Sequence, residues 1–231
     1  MTINSTVVAG SAPVRPGAVP RAVVFDLDGV IVDSFAVMRE AFAIAYREVV
    51  GPGEAPFDEY ERHLGRYFSD IMRIMGLPLE MEGPFVRESY RLASRVRVFP
   101  GIRELLTSLR DRGFRLAVAT GKSGPRARSL LDTLGLLPLF EHVIGSDEVA
   151  RAKPAPDIVL RAMELLGVAA EETMMIGDAV TDIESARAAG VTAVAAMWAD
   201  IDKAVLLAAD PDVVLGQPVD LLAICSRVTA S

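Results

Sequence analysis

Short continuous apolar runs alternate with longer amphipathic stretches over most of this chain. A run that is apolar throughout and ends in glycine or polar residues is typical of a buried strand, whereas apolar residues spaced three and four apart are typical of a helix. The predicted strands are 22–25, 114–119, 142–144, 173–176, 191–196 and 212–215. The predicted helices between and after them are 102–112, 125–134, 156–166, 182–189 and 203–209. This alternation predicts an α/β protein with a Rossmann-like parallel sheet and helices on both faces.

The alternation stops between residues 34 and 98, where no strand is predicted. Three helical stretches follow one another there: Ser34–Val50, Phe57–Met75 and Leu79–Val98. We therefore expect an inserted all-helical cap domain at 34–98, within a core formed by 21–33 and 99–231. Residues 1–20 are rich in glycine, proline, alanine and serine, and we expect them to form a mobile tail.

Composition narrows the class of protein. The 231 residues carry a formal net charge of −7, which disfavours nonspecific binding to nucleic acid. No apolar run approaches the roughly 20 residues that span a bilayer, and the N-terminus lacks the basic start and apolar stretch of a secretory signal. The single cysteine, Cys225, can form neither an internal disulfide nor a cysteine metal cluster. We expect a cytoplasmic monomer or homodimer without nucleic-acid or membrane partners.

Acidic residues follow two of the predicted strands. Asp26 and Asp28 lie two apart at the end of the first strand, so both can project from one face. Asp178 follows another strand, and Asp182 comes four residues later, where it can support the same site or cap the next helix. Neighbouring carboxylates repel one another, and a hard divalent cation such as Mg²⁺ is the usual way to neutralise them. A turn with solvated aspartates is the alternative.

Two further segments carry groups that suit an anion. Thr120 and Gly121 follow a strand and precede a helix, where a hydroxyl and backbone N–H groups can bind phosphate or simply cap the helix. Lys153 stands before Pro154 and Pro156, and it is one of only three lysines in the chain. Together these residues fit phosphoryl transfer, with a carboxylate nucleophile, a carboxylic acid that moves the proton, and cations that offset the charge.

The segments FDLDGVIVDS, Thr120, KPAPD and GDAVTD, in this order, resemble the motifs of the haloacid dehalogenase-like phosphatase superfamily, and the resemblance covers about residues 21–228. It implies that Asp26 is the nucleophile and a Mg²⁺ ligand. Asp28 would be the general acid and base, with its backbone carbonyl on the metal. Asp178 would be a metal ligand, and Asp182 a ligand or a support for one. Thr120, the Gly121 N–H and Lys153 would hold the phosphoryl group.

The resemblance also separates branches of the superfamily by residue type. Haloacid dehalogenases lack the second aspartate, which is present here as Asp28. Phosphonatases use a cap lysine, but residues 34–98 contain none. The β-phosphoglucomutases carry a histidine twelve residues after the nucleophile, where this chain has Met38. A phosphomonoesterase with a small phosphorylated metabolite as substrate is the implied activity. A sugar-phosphate mutase and a catalytically silent binding protein are the alternatives.

A closer resemblance concerns the stretches around residues 34–51, 63–93 and 119–140. They are similar to phosphatases associated with the biosynthesis of 3-amino-5-hydroxybenzoate (AHBA), a precursor of ansamycin-type and mitomycin-type antibiotics. This implies a sugar or aminosugar phosphate as substrate, with phosphoglycolate as the alternative from the phosphoglycolate phosphatase branch. Within the predicted cap, Arg66 is the candidate for binding a hydroxyl or carboxylate of the substrate, against the alternative of a solvated surface arginine.

Overall fold

A parallel sheet forms the centre of the computed structural model, which describes residues 19–225 and the two-residue segment Val8–Ala9. The strands are β1 (Val8–Ala9), β2 (Ala22–Phe25), β3 (Val32–Asp33), β4 (Arg97–Val98), β5 (Arg115–Thr120), β6 (His142–Gly145), β7 (Thr173–Gly177), β8 (Thr192–Ala196) and β9 (Val213–Leu215). The larger sheet has the order β1-β9-β8-β7-β2-β5-β6, and β2 to β9 within it run parallel. The predicted α/β class is confirmed. The carboxyl ends of β2, β5 and β7 meet at one edge, which is where ligands bind to such sheets.

Ten helices accompany these strands in the described residues: α1 (Phe35–Val49), α2 (Phe57–Glu61), α3 (Phe68–Met75), α4 (Glu82–Arg91), α5 (Ile102–Asp111), α6 (Gly124–Thr133), α7 (Asp157–Leu166), α8 (Val180–Ala189), α9 (Lys203–Ala208) and α10 (Leu221–Ile224). Successive residues of a strand point to opposite faces. Val23 and Phe25 therefore pack in the cluster that contains α5 and α6, whereas Ala22 and Val24 pack in the cluster that contains α7 and α8. Burial on both faces explains why the strands are apolar throughout.

Helices α1 to α4 lie between β3 and β4, and we call residues 34–98 the helical insertion. Its centre is a group of aromatic rings, in which Phe68 stacks on Phe85 at 4.4 Å between centroids and Tyr60 lies 4.7 Å from Phe42. The two chain segments that enter and leave the insertion, β3 and β4, pair with each other as an antiparallel ladder. The insertion is thus joined to the sheet by a short paired stem.

Two of the predicted elements in this region are wrong in detail. The helix expected over Phe57–Met75 is broken into α2 and α3, because Gly65 adopts a left-handed backbone with φ +89° that no helix accommodates. The helix expected over Leu79–Val98 ends at Arg91, and its last two residues form β4. The insertion is therefore helical except at this stem.

The N-terminal segment differs in part from the expected mobile tail. Val8 and Ala9 pair antiparallel with Val214 and Val213, so they extend the sheet beyond β9. This short strand covers backbone groups of an edge strand that would otherwise be unpaired. The rest of the expected tail up to residue 18 lies outside the described residues. Within the described part of the chain, no helix has both the length and the apolar character needed to cross a membrane.

Candidate active site

A cavity of about 50 Å³ lies between the carboxyl edge of the sheet and the helical insertion. The sheet side contributes Asp26, Asp28, Thr120, Gly121 and Asp178. The insertion contributes mainly apolar groups, among them Met38, Tyr60, Phe68 and Phe85, together with Arg66. The structure thus brings together at one cavity six of the eight residues that the sequence singled out. The other two, Lys153 and Asp182, do not line it.

Lys153 and Asp182 lie behind Asp26, where they are 2% and 0% exposed. The Lys153 Nζ donates to Asp26 Oδ1 at 2.8 Å, to Asp182 Oδ1 at 2.6 Å and to the Ala119 carbonyl at 3.1 Å. An ammonium group has three hydrogens, so all its donors are used. Burial alone would lower the pKa of Lys153, but Asp182 and Asp26 raise it above its usual value. Lys153 is therefore a fixed positive charge that orients Asp26.

The Asp26 carboxyl group retains negative charge that its surroundings do not fully offset. Burial, together with Asp182 and Asp28, raises its pKa to about 7, although Lys153 acts in the opposite direction. Lys153 donates to Oδ1, and within residues 19–225 no donor makes a hydrogen bond to the second oxygen, Oδ2. The charged form of Asp26 is thus disfavoured as the site stands, and another cation close by would favour it.

Carboxylate oxygens of Asp26, Asp178 and Asp182 lie within 4.8 Å of one another. Burial, followed by the charges of Asp182 and Asp26, raises the pKa of Asp178 well above its usual value. Gly29 makes room for this carboxylate, because a Cβ at Gly29 would stand 1.8 Å from Asp178 Oδ2. Lys153 offsets one charge of this group, and Asp178 pairs with no cation within the described residues, so the three carboxylates together fit a hard divalent cation such as Mg²⁺.

Asp28 has its own cationic partner. Its Oδ1 accepts a hydrogen bond from the Ser34 hydroxyl at 2.5 Å, and its Oδ2 lies 3.1 Å from the Lys122 ammonium group. Burial alone would raise the pKa of Asp28, but Lys122, Ser34 and Arg126 together lower it. No local sequence pattern indicates this pair, because the two residues are far apart in the chain.

The turn after β5 is in close contact with the insertion. Thr120 is buried, and its hydroxyl accepts a hydrogen bond from the Lys122 N–H at 3.2 Å. A Cβ at Gly121 would stand 2.7 Å from the Gly65 carbonyl oxygen, so the backbones of core and insertion nearly touch there. The Thr181 hydroxyl also donates to the Leu64 carbonyl, at 3.2 Å. These contacts place the neighbouring Arg66 at the cavity, half-buried.

Arg126, on the first turn of α6, is a cavity residue that the sequence analysis did not identify. Its side chain is buried beneath the insertion, where its guanidinium carbon lies 5.0 Å from the centre of the Phe85 ring. Nothing in the local sequence marks it, because arginine is common in this chain and a helix start is an ordinary place for it. Only the fold shows that it reaches the cavity.

Comparison with known proteins agrees with this fold and identifies the family. Residues 20–190 match the haloacid dehalogenase-like hydrolase family. The chain is 35% identical over 214 residues to the probable phosphatase IndB of Dickeya dadantii (strain 3937), with 84% of this chain and 88% of that protein covered. It is 32% identical to the phosphoglycolate phosphatase of Chromobacterium violaceum, with 80% and 89% covered.

A solved structure, a hydrolase from Pseudomonas syringae, is similar with a TM-score of 0.77 at 25% identity and covers 87% of this chain and 96% of its own. The expectation of a hydrolytic enzyme is confirmed by these matches. With phosphatases among its relatives and the acidic cluster at the sheet edge, this chain belongs to the haloacid dehalogenase-like hydrolases.

Proposed function

We propose that the protein is a Mg²⁺-dependent phosphomonoesterase that acts through an aspartyl phosphate on Asp26. The observation that carries this proposal is the carboxylate of Asp26, which lines the cavity and is fixed through Oδ1 by Lys153, while no donor of the described part of the chain bonds to Oδ2. Asp26, Asp178 and the backbone carbonyl of Asp28 are the proposed Mg²⁺ ligands. When bound, the ion offsets the negative charges of the phosphoryl group and the aspartates.

In the first half of the reaction, Asp26 Oδ2 attacks phosphorus and forms an acyl phosphate bond. The ester P–O bond breaks, and its electron pair stays on the leaving oxygen, which receives a proton from Asp28. Water then attacks the phosphorus of the aspartyl phosphate, and Asp28 accepts its proton. Asp26 is restored as inorganic phosphate leaves.

The surroundings of Asp28 bear on these two steps differently. Lys122 and Ser34 hold it as a carboxylate, which suits the acceptance of a proton from water. Donation to the leaving oxygen requires the protonated form, so an acidic limb in the pH–rate profile should report this step. The hydrolysis rate of a substrate with a good leaving group, such as an aryl oxide, should depend least on this proton donation.

Thr120 and Gly121 are the proposed contacts of the phosphoryl oxygens, through a hydroxyl and a backbone N–H. Lys153 is proposed to act through Asp26 rather than by direct contact with the phosphoryl group, because its three donors already bond to Asp26, Asp182 and Ala119. Asp182 accepts from Lys153 and, through Oδ2, from the Ala179 N–H. We therefore propose that Asp182 supports the metal site rather than providing a direct ligand.

The substrate is proposed to be a small phosphorylated metabolite. The similarity to AHBA-associated phosphatases supports a sugar or aminosugar phosphate in antibiotic biosynthesis, whereas the phosphoglycolate phosphatases among the relatives support phosphoglycolate. The helical insertion is proposed to act as a cap that encloses the substrate, with Arg66 at its inner surface. The cytoplasmic location and the monomeric or homodimeric state remain predictions.

A phosphate-release screen tests this function. Aryl phosphate, sugar phosphates, aminosugar phosphates and 2-phosphoglycolate are incubated with the protein, with and without Mg²⁺. We expect Mg²⁺-dependent release of phosphate from the aryl phosphate and from at least one metabolite class. Release that is unaffected by removal of divalent ions contradicts the proposed metal dependence, and a transfer product without free phosphate supports the mutase alternative.

A further inference from the structure

We infer that Arg126 determines substrate specificity by binding a carboxylate on the alcohol that leaves the phosphate. This inference rests on the proposed phosphatase function. It deepens that proposal by specifying that the leaving alcohol carries a negatively charged carboxylate. Arg126 is 7% exposed and lines the cavity together with Asp26 and Asp28. It has not been assigned a role in the reaction described above.

The polar groups of Arg126 are incompletely bonded. One terminal nitrogen, Nη2, donates to the Ser89 hydroxyl at 3.0 Å. Among all buried side-chain nitrogen and oxygen atoms of the described residues, only Arg126 Nε has no hydrogen-bond partner. A buried donor without a partner is costly, so such an atom next to a cavity is evidence for a missing ligand.

The charge of Arg126 is incompletely balanced as well. Burial lowers its pKa, and the groups that act in the opposite direction most strongly are Tyr60 and Asp28. Within residues 19–225, no carboxylate forms an ion pair with Arg126, and Asp28 is already engaged by Lys122 at 3.1 Å. The Phe85 ring supplies a cation–π contact at 5.0 Å, which offsets only part of the cost of burying a charge.

Other arginines of the same region are satisfied differently. Arg87, Arg91 and Arg95 on the insertion are more than half exposed and pair with Glu48, Glu88 and Glu40. Arg128, two residues after Arg126, is on the outer side of α6 and pairs with Glu148 at 3.0 Å. Among the described residues, the arginine with a buried nitrogen that lacks a partner is thus one that lines the cavity.

The chemistry of the group identifies its ligand. A guanidinium presents parallel N–H donors that match the two oxygens of a carboxylate. Lys122 and Lys153, the lysines nearest the site, are both committed to aspartates. A substrate carboxylate would therefore meet two guanidinium groups that pair with no carboxylate within the described residues, those of Arg126 and Arg66, while its phosphoryl group faces Asp26. Arg126 is the buried one of the two and the one whose Nε lacks a partner, whereas Arg66 is half-buried. A cationic aminosugar would meet the same guanidinium groups as repulsive neighbours.

Matched substrates, in which a carboxylate of one compound is replaced by a neutral hydroxymethyl group in the other, test the inference. One pair is 2-phosphoglycolate and 2-hydroxyethyl phosphate, and a second is 6-phosphogluconate and sorbitol 6-phosphate. We expect the wild-type protein to favour the acid of at least one pair by about tenfold or more in kcat/KM, as a buried charged hydrogen bond gives. Arg126→Gln should remove this preference mainly through KM, so that kcat/KM falls about tenfold more for the acid than for its neutral partner.

Two variants complete the design. Arg128→Gln removes an arginine from the same helix, and we expect it to leave the preference intact. Arg126→Lys retains the charge without the planar donor set, and we expect a partial loss of preference. Circular dichroism during heating checks that each variant is folded. If Arg126→Gln is not folded, Arg126→Met replaces it in the same measurements.

A binding measurement that needs no turnover separates this inference from the proposed function. Calorimetry on Asp26→Asn with both pairs should show tighter binding of the acid in at least one pair, and this difference should vanish when Arg126→Gln is added. Equal binding of the acid and the neutral compound in both pairs, or equal losses for acidic and neutral substrates in Arg126→Gln, overturns the inference. Absence of any phosphate release by the wild type overturns the proposed function, while the calorimetry still decides the role of Arg126.

Discussion

Two buried cations, Lys153 and Arg126, lie near the cavity in different parts of the molecule, and they differ in how many hydrogen bonds their donors make. On the sheet side, Lys153 donates to two carboxylates and a carbonyl. Where α6 of the core meets the insertion, Arg126 donates to the Ser89 hydroxyl and lies against the Phe85 ring, and its Nε has no partner among the described residues. A cation whose donors all have partners fixes those neighbours in place, whereas a cation with an unpartnered donor is available to a ligand. We infer from this difference that the sheet edge carries the chemistry, while the boundary between α6 and the insertion selects the substrate.

Removal of the nucleophile should have the largest effect. Asp26→Asn leaves the shape of the site unchanged but removes the charge that attacks phosphorus, so we expect turnover of 4-nitrophenyl phosphate to fall by about 10⁴-fold or more. Asp33→Asn, at an exposed aspartate of β3, is the control and should retain full activity. Turnover of Asp26→Asn close to that of the wild type excludes Asp26 as nucleophile.

Loss of Lys153, whose three donors all have partners, should affect every substrate alike. Lys153→Met leaves Asp26 and Asp182 buried without their partner, and we expect activity to fall by about 10³-fold and the free energy of unfolding by about 3 kcal/mol. Lys203→Met, at the exposed start of α9, is the control. If Lys153→Met instead changes the ratio between acidic and neutral substrates, then the division of roles between the sheet edge and the boundary of α6 with the insertion is wrong.

A methyl group at Gly29 should disturb the sheet side without removing any charge. The added Cβ would meet Asp178 Oδ2 at 1.8 Å, so we expect Gly29→Ala to displace this carboxylate and lower Mg²⁺-dependent activity by about 100-fold. Gly76→Ala is a matched control, because Gly76 also has a positive φ, +66°, but an added Cβ would meet nothing within 4 Å. Both variants share the backbone strain, of order 1 kcal/mol. Equal activities in the two variants argue against a role for Asp178.

The pH dependence of stability should show the uncompensated charge of the sheet side. Burial raises the pKa of Asp26 to about 7, so the folded state binds a proton that the unfolded state has lost. The resulting stabilisation is complete below the ordinary carboxyl pKa and is lost as pH rises through about 7. Asp178 contributes in the same direction. Without Mg²⁺, the free energy of unfolding should therefore decrease between pH 5 and pH 8.

Added Mg²⁺ should then stabilise the protein more at pH 8 than at pH 5, by about 1–2 kcal/mol in the free energy of unfolding. Urea unfolding at the two pH values measures this difference, with Na⁺ at matched ionic strength as control. Stabilisation by Mg²⁺ that is the same at both pH values indicates that the ion binds away from the carboxylates.

The elements of the sheet could be predicted from the sequence because strands buried on both faces are apolar throughout. The aspartates at its edge could be predicted because a parallel sheet brings the carboxyl ends of its strands together. The break at Gly65 was predictable only as a possibility, since a glycine in a helical pattern is often tolerated. The pairing of Val32–Asp33 with Arg97–Val98 joins segments that are distant in the chain, and no local pattern indicates it.

The partners of the site residues were less accessible to sequence reasoning than the residues themselves. Lys153 was singled out by the scarcity of lysine, but its place behind Asp26 depends on how the loop before α7 packs under the sheet edge. Lys122 carries the same signal, yet its pairing with Asp28 follows from the order of β2 and β5. Arg126 carries no local signal, because its burial is produced by the insertion that lies over it.

A rapid-quench measurement on Asp28→Asn tests the central claim most directly. With 4-nitrophenyl phosphate, whose leaving group needs little proton donation, this variant should still form the aspartyl phosphate but hydrolyse it slowly. We predict a burst of one nitrophenol per protein chain and a phosphorylated peptide that contains Asp26, identified by mass spectrometry after acid quench. Turnover without a burst, or phosphate on a peptide that lacks Asp26, would contradict the account.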